Sequence, residues 1–207
     1  MSSREEQKLL LSQRKNLLEL LNHYEVRYPN EHETVERMRS FIDYHTNCFE
    51  RKCIPGHVTG SAWIVSPDRS KYLMTRHRIL NRWLQLGGHA DGCSLPHLVA
   101  LREAEEESGL ANFGLFRQPE GFVPLDIDIH EIAARAETAA HEHYDFRYLL
   151  IANAEQPLRI SDESHELAWF EENELEKITQ EESILRMLHK GEVVLSNCQA
   201  EIVYSVS

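Results

Sequence analysis

Apolar residues in the first fifty positions recur at helical spacing. Leu9, Leu10, Leu17, Leu20 and Leu21 carry the first pattern, and Ser3-x-x-Glu6 offers a capping box to open it. Pro29-Asn30 interrupts the run. Asn30 with Glu33 then starts a second helix whose apolar side holds Val35, Met38, Phe41 and Ile42. Residues 1–50 therefore read as an N-terminal helical extension, a hairpin that packs on the main domain or on a second copy of the chain. From residue 54 the periodicity changes to alternation. HVTGSAWIVS (57–66) and KYLMTRH (71–77) read as strands joined by the turn signal Ser66-Pro67-Asp68. WLQLGGHADG leads into a Gly-rich loop. A helix is expected from Ser94, which can cap it, to Ser108, closed by Gly109. Further strands are expected near 122–132, 143–153 and 166–170, and Thr179-x-x-Glu182 caps a last helix ending at Gly191. The mixture predicts an α/β domain over 54–191, with helices on a mixed sheet, and a C-terminal tail (192–207) with room for a strand.

Composition narrows the function classes. The chain has 42% hydrophobic and 27% charged residues, the balance of a globular protein. Its formal net charge of -12 offers no basic footprint for duplex nucleic acid or an anionic membrane surface. The N-terminus lacks the apolar run of a signal peptide, and no stretch has the length of a membrane span. Cys48, Cys53, Cys93 and Cys198 lack C-x-x-C spacing, which fits free thiols in a reducing cytoplasm.

The densest chemistry lies in REAEEESGL (102–110). On a helix, Glu103, Glu106 and Glu107 share a sector of roughly 100°, and like charges so placed repel. Either this is a solvated acidic face, or a cation sits over it; three carboxylates on one strip suit a hard divalent ion. Gly87-Gly88, just upstream, lets a ligand approach the main chain.

With its loop, GHADGCSLPHLVALREAEEESGL (88–110) resembles the signature of the Nudix hydrolases, G-x5-E-x7-R-E-U-x-E-E-x-G-U with U aliphatic. Gly88, Arg102, Glu103, Ala104, Glu106, Glu107, Gly109 and Leu110 fall in register. Ser94 stands where the signature has glutamate; in the family that side chain helps to hold the motif together, and Asp91 is a nearby substitute carboxylate. The resemblance implies a Nudix-like α/β/α sandwich. It also implies Mg2+- or Mn2+-dependent hydrolysis of a nucleoside diphosphate linked to another moiety. Glu103, Glu106 and Glu107 map onto metal ligands. Glu103 also maps onto the general base and Arg102 onto the residue orienting it. A Nudix-like nucleotide-binding or regulatory domain with weakened catalysis is the alternative that Ser94 motivates.

Other residues are candidates for meeting a small nucleoside-diphosphate-type substrate. These are Gly88 and His89 in the loop, Arg76 after the second strand, and His143 and Asp145 on one face of HEHYDFRYLL (141–150). His141 and His143 also have the spacing of zinc ligands on a strand, but with no paired cysteine motif a place at the mouth of the site, or an ordinary solvated face, explains them better. The helical hairpin is a candidate surface for a homodimer.

Overall fold

A computed structural model describes residues 3–134, 138–162, 164–196 and 201–204, without the side chains of residues 3–10, 201 and 204. Helices α1 (Ser3–Arg27) and α2 (His32–Tyr44) form the expected hairpin. The boundary differs from the sequence reading: Pro29–Glu31 is a 3-10 turn and α2 has Glu31, not Asn30, at its N-cap without a side-chain cap bond. The Ser3/Glu6 box falls on side chains outside those described.

The strands are β1 (Gly56–Val65), β2 (Lys71–His77), β3 (Trp83–Leu84), β4 (Leu86–His89), β5 (Gly114–Arg117), β6 (Asp126–Ile132), β7 (His141–Ile151), β8 (Ser164–Glu171) and β9 (Glu201–Tyr204). They form one mixed sheet whose main path is β3-β2-β1-β7-β5-β9, with β4 on β1, β6 on β7 and β8 on β2. β1 and β7 run parallel from Gly56↔Glu142 to Val65↔Ile151; the other pairings are antiparallel.

Alternation along β1 and β7 separates two layers. Val58, Ala62, Ile64, Tyr144, Phe146 and Leu150 join the core shared with α1, α2 and α3 (Pro96–Ser108). Trp63, Val65, Leu149 and Ile151 join a second core with α4 (Glu172–Ile178) and α5 (Glu182–Ser196). Helices thus cover both faces of the sheet. The amphipathic pattern of the hairpin is satisfied within the chain: Leu17, Leu21, Tyr24, Val35, Met38 and Ile42 are buried in the first core, and the Phe41 ring stacks on Tyr144 with centroids 3.7 Å apart. Those faces leave the expected homodimer surface without support. α5 runs beyond Gly191 to Ser196, and the tail supplies β9.

Candidate functional site

The glutamate helix sits against β1 and β4 because two glycines let it. Gly60 of β1 faces α3 so closely that a Cβ there would lie 2.6 Å from the Pro96 carbonyl oxygen and 2.8 Å from Val99 Cβ. Gly88 pairs with Gly60 across β4. A Cβ on Gly88 would meet the Glu103 carboxylate, 2.5 Å from Oε2 and 2.8 Å from Oε1. The missing side chain is therefore the space that the carboxylate uses.

Helix α3 starts at Pro96 with Leu95 at its N-cap and no side-chain cap bond. Ser94 does not cap it, which corrects the sequence reading. Gly109 ends the helix in the left-handed region (φ 67°), and its N–H donates to the Glu105 carbonyl at 2.9 Å. Ala104 and Leu110 are buried, fixing the helix's rotation.

Each candidate side chain then has a distinct setting. Arg102 donates to the Glu103 carboxylate at 2.5 Å and to the His89 carbonyl at 2.7 Å. The hydrogen bond that it donates to Glu103 holds the guanidinium pKa above its ordinary value. Its Nε also lies 4.0 Å from Glu106. Glu107 is buried and accepts the Gly87 N–H at 2.8 Å. Glu106 projects to solvent, its side chain 64% exposed, against 14% for Glu103. Helix and strand are thus stitched by Arg102 to His89 and by Gly87 to Glu107. The carboxylate of Asp91, near the position where the signature has glutamate, is bound by Arg51 at 2.5 and 2.7 Å.

This donor set suits a hard divalent cation. It consists of carboxylate oxygens, two of the three largely withdrawn from water, beside a main chain that Gly88 keeps clear. The three glutamates are not gathered as tightly as two other groups: among the described residues, donor atoms lie within 4.8 Å of one another in His57/His89/His143 and in Glu25/His32/Glu36.

The remaining sequence candidates are distributed over the sheet. His89 adjoins Gly88, but its ring stands with His57 and His143. Asp145 is buried and engaged: it accepts from Thr59 Oγ1 at 2.8 Å, Ser61 Oγ at 2.9 Å and Arg147 Nε at 2.8 Å. Arg76 lies on β2, where it donates to Asn81 at 3.0 Å and lies 3.8 Å from Glu166.

Two features escaped the sequence reading. Asp126 is buried and accepts from Arg147 (3.1 Å), Arg186 (2.8 Å) and Lys190 (2.7 Å). Burial alone would raise its pKa, but these cations hold the carboxyl below the usual range. The other is the juxtaposition of His57 with His143, which became visible only with the parallel β1–β7 pairing.

The NUDIX domain family model matches residues 56–190. A Nudix-family hydrolase from Clostridium perfringens is 24% identical, with a TM-score of 0.53, covering 67% of this chain and 97% of that one. An Ap4A hydrolase from C. elegans is 16% identical, with a TM-score of 0.49, covering 68% and 98%. At these identities the likeness is one of fold. The comparison with curated proteins gave no significant match.

Proposed function

Because the chain belongs to the Nudix family, its domain spanning 56–190, we propose that it hydrolyses a pyrophosphate bond. The substrate class is a nucleoside diphosphate linked to another moiety, and the cofactor Mg2+ or Mn2+. The observation that carries this reading is the fit of Gly88 against Glu103, where a single methyl group would occupy carboxylate space.

Glu103, Glu106 and Glu107 would hold the ion. When bound, it neutralises phosphate oxygens and makes water a better nucleophile. The chain's own groups do the rest. Glu103 accepts the proton from the attacking water; it is the carboxylate whose orientation Arg102 fixes, itself anchored on the His89 carbonyl. Glu107 is oriented by the Gly87 N–H, and the main chain at Gly88 and His89 lines the phosphate side. The free thiols of Cys48, Cys53 and Cys93 fit a cytoplasmic setting, and no helix among the described residues is long and apolar enough to cross a membrane.

Ser94 favours a second reading, a domain that binds nucleotide with weakened turnover. A panel of nucleoside diphosphate compounds separates the two, assayed for nucleoside monophosphate release with and without Mg2+ and Mn2+. Cation-dependent release from at least one compound is expected. Binding without release under every condition would select the second reading, and neither would refute both.

A further inference from the structure

Three imidazoles converge at one end of the sheet, from three adjacent strands. His57 of β1 pairs with His143 of β7, and His89 of β4 pairs with Thr59 on the same face of β1. Their ring centroids form a nearly equilateral triangle, with separations of 4.8 Å (His57–His143), 5.0 Å (His57–His89) and 5.0 Å (His89–His143). One ring nitrogen from each lies within 4.8 Å of the other two. His57 is 3% exposed, and neither of its ring nitrogens has a hydrogen-bond partner; Nε2 of His143 is also buried without one. Unsatisfied buried polar atoms are costly, and a cation shared by the three rings would give a nitrogen of His57 and one of His143 a partner.

We propose that His57, His89 and His143 form a binding site for a zinc-class transition-metal ion, distinct from the glutamates of α3. The donor set selects the ion: imidazole nitrogens with no carboxylate among them suit Zn2+ and its neighbours, whereas Mg2+ prefers oxygen. A tetrahedral ion needs its nitrogens about 3.3 Å apart, so small side-chain rotations close the site. His141 stands beside the triangle, its ring 4.9 Å from His57 and 5.2 Å from His143. Its Nδ1 lies 2.9 Å from the Ala139 carbonyl; a carbonyl only accepts, so Nδ1 carries the proton and Nε2 keeps its lone pair. On the outer side, His130 lies 5.3 Å from the His143 ring and 3.6 Å from Asp128. His89 belongs to both regions, since its carbonyl anchors Arg102.

The test is titration of the chelator-stripped full chain with Zn2+ near neutral pH, followed by calorimetry. The wild type is expected to bind stoichiometrically. His57→Gln with His143→Gln should weaken binding more than about 100-fold, beyond the loss of an outer partner, whereas Glu106→Gln with Glu107→Gln should leave it intact. No Zn2+ binding by the wild type, or equal binding by the histidine variant, overturns the site. Should that variant fail to fold, the visible spectrum of Co2+ added to the wild type decides: tetrahedral imidazole-type bands support the site, and a spectrum like that of the aquo ion overturns it. Hydrolysis is not the readout, so this outcome is independent of that for the glutamates.

Discussion

Replacing Gly88 by alanine puts a methyl group where the Glu103 carboxylate lies, and the structure gives the size of the displacement. The new Cβ would stand 2.5 Å from Glu103 Oε2, whereas comfortable contact needs about 3.5 Å. The carboxylate must therefore retreat by about 1 Å, a misplacement that costs on the order of 100-fold in turnover. Stability should change little, by less than about 1 kcal/mol, because the clash is with the end of a flexible side chain. Gly60→Ala is the contrasting control. There the methyl group meets the Pro96 carbonyl oxygen at 2.6 Å, and a helix backbone cannot step aside, so a loss of about 1–3 kcal/mol is expected. Steady-state kinetics on the preferred diphosphate and urea unfolding of both variants make the comparison. Gly88→Ala with near wild-type kcat, or with a stability loss equal to that of Gly60→Ala, would refute the idea that this glycine is a clearance for the catalytic carboxylate.

Glu103→Gln keeps the shape but removes the base and a charged ligand, so it should retain less than about a tenth of wild-type kcat; a higher residual rate argues against the assigned role. Asp126→Asn removes the shared partner of Arg147, Arg186 and Lys190. A loss near about 3 kcal/mol is expected, at the low end for a broken buried pair, because Asp128, Asp145 and Glu31 still reach those cations; urea melts with no change would contradict it. His97 is buried against Phe122, and burial lowers its pKa to about 4. The unfolded chain protonates this ring at about pH 6.5 and the folded chain does so only near 4, so its contribution to stability is present above that window and lost as pH falls through it. His97→Gln should flatten the fall of stability between pH 7 and 5 by about 1 kcal/mol per pH unit, and identical slopes would show that the ring titrates alike in both states.

Much of this was readable along the chain, and the rest required pairing. The helical hairpin announced itself because Val35, Met38, Phe41 and Ile42 recur at helical spacing, and all four are buried. Helix geometry alone puts Glu103, Glu106 and Glu107 in one sector; that Glu106 projects to solvent while Glu103 and Glu107 are withdrawn depends on how α3 packs on the sheet. Helix starts were misread where a polar residue suggested a cap: Ser94 and Asn30 yield to Leu95 and Glu31, neither of which makes a side-chain cap bond. Strand β5 is short and lacks alternation, so no local signal marked it. His57, His89 and His143 are scattered in sequence; a parallel and an antiparallel partner of β1 bring them together, and no spacing rule encodes that. Asp126 and Lys190 meet for the same reason, one on a strand and the other on a distant helix.

The central claim is that the α3 glutamates hold a divalent cation for attack on a pyrophosphate. The most direct measurement is Mn2+ binding by electron paramagnetic resonance, with a non-hydrolysable diphosphate analogue present, in the wild type and in Glu106→Gln with Glu107→Gln. The account predicts loss of the free-ion signal with the wild type and its return, by at least about tenfold in affinity, with the variant. Equal Mn2+ uptake by both proteins, or none by either, would contradict it.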